Sequence, residues 1–113
     1  MVVGVGTVEI FIINSRSLKE KRGIMRRICN STKNKFNVSI AEVGYQDNWK
    51  RGEIGFSVVG NDKSFVNSMM DTVINYIETL NLAEVVKSAI EITTISGAMD
   101  AEFGYHNDKF DEF

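Results

Sequence analysis

Val8, Ile10 and Ile12 alternate with Glu9, Phe11 and Ile13 inside a run from Val2 to Ile13 that is rich in β-branched residues. A period of two with that composition predicts a strand. Asn14-Ser15-Arg16 breaks it, and Ser17-Leu18-Lys19-Glu20 then matches a capping box, Ser at the N-cap and Glu three residues on. The period changes to 3.6, with Leu18, Met25, Ile28, Cys29 and Thr32 on one stripe and Phe36 near its end, which predicts a helix. Val38 to Tyr45 reads as a second strand whose alternation slips between Ile40 and Val43, the sign of a bulge or of burial on both faces. Gln46-Asp47-Asn48 forms a hairpin loop, and Arg51 to Val59 a third strand with Ile54, Phe56 and Val58 on one side. Gly60-Asn61-Asp62 supplies a turn and an N-cap. A second helix follows with Val66, Met69, Met70, Val73, Ile74 and Ile77 in one stripe, and a fourth strand carries Val85, Val86, Ile90, Ile92 and Ile95.

The order strand, helix, strand, strand, helix, strand predicts an α+β fold: a ferredoxin-like βαββαβ sandwich, a four-stranded antiparallel sheet with two helices on one face. The expected domain is 1–96. Residues 97–113 break the pattern with Asp100, Glu102, Asp108, Asp111 and Glu112 against Lys109, and read as a mobile acidic tail, with a short docking helix as the lesser alternative.

At 113 residues the chain fits a single domain. Cys29 is its only cysteine, so no disulfide can form within it. The apolar run Val2–Ile13 is too short for a membrane helix and lacks the basic leader of a signal peptide. A cytoplasmic protein with no membrane partner is expected, and the two Asn-x-Ser/Thr matches at Asn30 and Asn37 are then chance.

Charge changes the picture. Eight of the thirteen Lys and Arg residues lie between Arg16 and Lys35, where only Glu20 opposes them. That window is net +7 and the rest of the chain net −9, under a total of −2. On a helical projection Lys19, Arg22, Arg26 and Lys33 form a ridge beside the apolar stripe. Arg27 lies on the outer face, and Lys21 sits nearer the core edge, where its stem can snorkel. Arg16, Lys19, Lys21 and Arg22 also crowd the helix N-terminus, which the helix dipole makes unfavourable for cations by about 0.3–1 kcal/mol each when exposed. An anion bound there would offset that cost. A solvated face, screened by Glu20 and the acidic tail, is the competing reading.

The run Arg16-Ser17-Leu18-Lys19-Glu20-Lys21-Arg22, then Asn37-Val38-Ser39-Ile40-Ala41-Glu42-Val43, then Trp49 and Arg51 before a strand, resembles the YlxP-like family of small bacterial proteins with no assigned function. The resemblance covers roughly residues 3 to 92. It implies a ferredoxin-like fold and no established enzymatic activity. Genes of the family often neighbour translation and ribosome-maturation genes, which implies an RNA-related role. The acidic tail departs from the family pattern and could shield the basic helix.

Trp49-Lys50-Arg51 sits at the second hairpin. Trp49 is expected to pack over the sheet edge, with stacking on a base or a partner as the functional alternative. Glu42 is expected to pair with Arg51 across the hairpin. The open sheet face is expected to carry Thr7, Glu9, Glu53, Gly55, Ser57, Glu91 and Thr93, with Phe11 near one strand end. It lacks the rings on which RNA recognition motifs stack bases, so nucleic-acid contact moves to the helix side. Support for catalysis is thin. His106 is the only histidine and lies in the tail, Cys29 reads as a small core residue, and Gly4-Val5-Gly6 lacks the third glycine of a dinucleotide fingerprint. No cofactor and no metal is expected.

The sequence therefore points to a non-enzymatic binding module for structured RNA or a ribosomal particle. Its candidate contacts are Arg16, Lys19, Lys21, Arg22, Arg26, Arg27, Lys33, Trp49, Lys50 and Arg51. The alternatives are a protein–protein module that forms a homodimer through its sheet, and an enzyme acting on a small phosphorylated substrate at the start of the basic helix.

Overall fold

The computed structural model describes residues 1–95. Its elements are β1 (Val2–Phe11), α1 (Leu18–Lys35), β2 (Ser39–Gly44), β3 (Arg51–Gly60), α2 (Lys63–Thr79) and β4 (Glu84–Thr94). All pairings are antiparallel in the order β2-β3-β1-β4, which leaves β2 and β4 as edges. This is the expected ferredoxin-like βαββαβ sandwich. The expected acidic tail, 97–113, lies outside the described residues.

Alternation decides which face each strand buries. Val2, Val8 and Ile10 of β1, Ile40 of β2, and Ile54, Phe56 and Val58 of β3 meet Met25 and Ile28 of α1 and Val66, Met70, Val73, Ile74 and Ile77 of α2 in one core. Burying an aliphatic or aromatic side chain of this size contributes about 1.5–3 kcal/mol. Gly4 and Gly6 are what lets α2 sit so close to β1. A Cβ on Gly4 would lie 2.7 Å from Met70 Sδ and 2.8 Å from Val66 Cγ1, and one on Gly6 would strike the Phe56 ring. Their role is packing, not phosphate binding.

Both helix starts are capped by side chains. Glu20 N–H donates to Ser17 Oγ (3.1 Å), and Phe65 N–H donates to Asp62 Oδ2 (2.9 Å). Each cap is worth about 1 kcal/mol. The slip expected in β2 is real: its pairing with β3 shifts register between Glu42 and Gly44. Phe36 closes the far end of α1 with its ring edge-on to Tyr76 of α2, centroids 5.3 Å apart.

Candidate polyanion-binding site

The buried stripe of α1 consists of Lys21, Met25, Ile28 and Thr32. Turning the helix to bury that stripe turns Lys19, Arg22, Arg26 and Lys33 outward to one side, all four exposed. Arg22, Arg26 and Lys33 form one wall of a groove of about 430 Å³ whose other wall is β2 at Ile40, Ala41 and Glu42. Met25 and Cys29 contribute its apolar floor. Lys19 continues the row one turn before Arg22. Arg27 does not join it. That side chain is exposed and lines a separate cleft on the opposite flank of α1, with Ile24, Glu78 and Glu84.

Lys21 corrects the expectation of a snorkelling contact residue, because it is fully buried. Its Nζ donates to the Tyr45 carbonyl at 2.6 Å and lies 3.2 Å from Glu42 Oε2. Glu42 Oε2 is itself inaccessible and makes no aligned hydrogen bond, so this contact is an ion pair without hydrogen-bond geometry. The expected Glu42–Arg51 pair does not form. Glu42 falls with Ile40 on the helix side of β2, whereas Arg51 falls on the open face and pairs with Glu9 at 3.2 Å.

Lys21 thus ties the β2–β3 hairpin to the first turns of α1. Tyr45, at the start of that hairpin, has φ of 56°. A left-handed conformation costs a non-glycine residue about 1–2 kcal/mol. The Tyr45 carbonyl is held there by two donors, Lys21 Nζ and Asn48 N–H (3.0 Å). Asn48 Oδ1 in turn accepts from the N–H groups of Lys50 and Arg51, both at 2.9 Å. The turn presents Trp49 at 47 % exposure and Tyr45 at 45 %, so about half of each ring is open to solvent. Lys50 Nζ lies 5.9 Å from the Trp49 ring centroid, and the Arg51 guanidinium carbon 5.9 Å from that of Tyr45. The turn that carries two exposed rings and their cations is therefore held at the end of the molecule where the basic helix begins.

Glu20, the one acid in the basic window, is committed to the backbone, accepting from Arg16 N–H at 2.7 Å. Among the described residues only Lys21 and Arg51 form ion pairs. Arg16, Lys19, Arg22, Arg26, Arg27, Lys33 and Lys50 have no carboxylate within 4.0 Å among those residues.

Cys29 is half-buried at the groove floor, at the margin of the core rather than inside it. Burial pushes its thiol above the usual 9.0; Lys33 pulls it part of the way back and Glu42 adds to the rise. Two other residues matter that the sequence reading passed over. Tyr45 supplies the second ring, and its left-handed backbone has no signal in a tyrosine. Gly23 sits mid-helix among Lys19, Arg22, Arg26 and Arg27, with nothing within 4 Å of where its Cβ would be. An isolated glycine in a helical pattern is a legible sign of this kind.

The open sheet face differs from expectation. It carries Thr7, Glu9, Glu53, Gly55, Ser57, Glu91 and Thr93 as expected, but also the exposed valines Val5 (45 %) and Val59 (61 %). No helix among the described residues is long and apolar enough to cross a membrane.

This chain belongs to the family described as "Protein of unknown function (DUF503)", whose model matches residues 3–90. It is 38 % identical over 77 residues to "Uncharacterized protein YlxP" of Bacillus subtilis (strain 168), covering 68 % of this chain and 84 % of that protein. Solved structures with similar backbones include the de novo designed protein Foldit4 (TM-score 0.46, 16 % identity, 84 % of this chain and 98 % of that one). Another is the designed ferredoxin-fold protein LFR1 1 (TM-score 0.48, 15 % identity, 87 % and 89 %). Neither bears on function.

Proposed function

We propose that this protein is a cytoplasmic, non-enzymatic module that binds structured RNA, in keeping with a ribosomal target, through the outer ridge of α1 and the Trp49 hairpin. One observation carries the reading: a row of exposed cations without carboxylate partners among the described residues lies along one rod, and buried Lys21 holds the Tyr45 carbonyl of the hairpin that carries two exposed rings at the end of that rod. Cations spaced along a helix suit successive phosphates. Exposed rings beside cations suit an unpaired base. Gly23 supports the same reading, since a mid-helix glycine costs about 1 kcal/mol and the fold makes no use of the gap it leaves. A backbone phosphate could approach the helix closely at that gap.

The test is fluorescence anisotropy with a labelled ribosomal RNA fragment. Arg22→Gln/Arg26→Gln/Lys33→Gln should weaken binding at least tenfold, and Trp49→Ala should weaken it by about 1–3 kcal/mol if a base stacks there. Equal affinity of all three proteins, or no binding by any of them, would end this reading.

A second reading, a homodimer through the open sheet face, draws on Val5 and Val59. A four-stranded face with strands of six to eleven residues offers roughly 600 Å² per copy, enough for a dimer of modest stability. Val59→Glu should then convert a dimer to a monomer in light scattering. A wild-type protein that is already monomeric at 100-fold-varied concentration would remove this alternative.

A further inference from the structure

The two edges of the sheet are not alike. β2 is six residues long, its pairing shifts between Glu42 and Gly44, and the cations of α1 stand beside it. Shortness, a break in the ladder and charge are the ordinary protections of an edge strand. A second copy placed against β2 would also bring two basic ridges together. β4 has less of this protection. It runs eleven residues from Glu84 to Thr94 without a proline, and has no strand on its outer side among the described residues. Its one irregularity lies near the start. Lys87 faces Glu9 and Val85 faces Ile10, so Val86 is the extra residue of a bulge, and Lys87 to Thr94 is a regular run beyond it.

Cover is also missing along this edge. Val8 and Ile10 of β1 are completely buried on the helix side of the sheet. On the same side of β4, Ser88 is exposed and Ile90 and Ile92 are only half-buried. On the open face Lys87, Ala89 and Glu91 follow one another at every second position, all exposed. Neither Lys87 nor Glu91 has an ion-pair partner within 4.0 Å among the described residues, and Glu9, opposite Lys87, is held by Arg51.

A second copy pairs antiparallel with β4 about a two-fold axis perpendicular to the sheet, and such an axis sets each residue opposite one on the same face. An axis through Lys87 sets Lys87 against Lys87, and one through Glu91 sets Glu91 against Glu91. An axis through Ser88 or Ile90 leaves both charges opposite uncharged residues. An axis through Ala89 sets Lys87 of each copy opposite Glu91 of the other, with Ser88 opposite Ile90. Ala89 is also the midpoint of β4, so the register of greatest overlap is the register of matched charge. Opposite charges facing each other across strands attract, and like charges repel.

We infer that two copies of this chain pair antiparallel through β4 about an axis at Ala89, joining two four-stranded sheets into one of eight strands. The contact leaves α1, which packs beside β2 at the far edge, open in both copies, so it stands independently of the RNA reading. A face-to-face dimer, by contrast, would cover Val5 and Val59.

Sedimentation velocity of the full-length chain at about 1–100 μM should show a monomer–dimer equilibrium. Lys87→Glu and Glu91→Lys should each raise the dissociation constant about tenfold or more, because the two-fold axis makes every like-charge contact twice. Mixed in equal amounts, the two variants should associate with each other at wild-type strength, since each then meets opposite charge at both positions. Lys87→Glu/Glu91→Lys should dimerise by itself. Ala89→Cys in a Cys29→Ser background should form an interchain disulfide on mild oxidation, because residues on the axis have Cα atoms about 4.5–5.5 Å apart. Val59→Cys in the same background should not. Circular dichroism should show every variant folded. A wild-type chain that stays monomeric overturns the proposal. So does a dimer that both charge reversals leave intact, or a mixture that associates no better than its components. A dimer lost on Val59→Glu but kept on both charge reversals belongs to the open face and overturns the edge assignment.

Discussion

Lys21→Met removes the tie between hairpin and helix without touching any exposed charge. The ammonium is fully buried, 2.6 Å from the Tyr45 carbonyl and 3.2 Å from Glu42 Oε2. Tyr45 keeps one donor, Asn48 N–H, so its carbonyl stays satisfied. Glu42 Oε2 does not: it is inaccessible and would be a charge with no partner. Breaking a buried pair from one side costs about 3–5 kcal/mol. The Glu42 side chain is 22 % exposed and can swing toward water, which places the expected loss at the low end, about 3 kcal/mol. For a domain of this size that lowers Tm by about 12–20 °C. Urea unfolding of the double-mutant cycle separates the pair from simple packing loss. Lys21→Met/Glu42→Leu replaces both charges with apolar groups and should recover most of the loss, because a buried ion pair is often no better than a hydrophobic one. A single mutant within 0.5 kcal/mol of wild type, or a double mutant no more stable than the single, would refute this account of the hairpin; surface substitutions commonly fall inside that margin.

Gly23→Ala should stabilise the protein by about 0.5–1 kcal/mol in thermal unfolding, because the helix gains propensity and the added methyl meets nothing. Gly23→Gln should be no less stable than wild type yet bind the RNA fragment several-fold more weakly, since it fills the gap on the ridge. Gly4→Ala should destabilise by about 1–3 kcal/mol in the same assay, because the methyl would overlap Met70 and Val66 in a packed layer. Alkylation of Cys29 should rise at higher pH than that of a free thiol, and Lys33→Gln should move the profile higher still, since Lys33 favours the thiolate. The sign for stability follows. Below the unfolded thiol's pKa both states are neutral and the group contributes nothing. Above it the unfolded state ionises first, so stability should fall as pH rises past about 9.

The fold was legible because each element obeys a single period. The apolar stripes of α1 and α2, the Ser17 and Asp62 caps and the slip in β2 all read directly from spacing. The site was legible only in its exposed part. Lys19, Arg22, Arg26 and Lys33 fall on one face by helix geometry alone, and the structure puts them there. Lys21 defeats the same reasoning. A lysine on the buried stripe looks like a snorkeller unless one knows that a carbonyl and a carboxylate from 24 and 21 residues away meet its head. Glu42 was assigned the wrong partner because pairing across a hairpin assumes one shared face, and it and Arg51 point to opposite faces. The exposed valines of the open face carry no such signal, because in sequence Val5 and Val59 read as ordinary strand residues beside Glu9 and Glu53.

The salt dependence of binding to ribosomal RNA tests the central claim most directly. Four ridge cations, Lys19, Arg22, Arg26 and Lys33, should release about four counter-ions, giving a log–log slope of affinity against salt between about −3 and −4. Arg22→Gln/Arg26→Gln/Lys33→Gln should flatten it to about −1, one unit for each contact removed. A wild-type slope near zero, or one the triple substitution leaves unchanged, would mean that these cations do not hold phosphates.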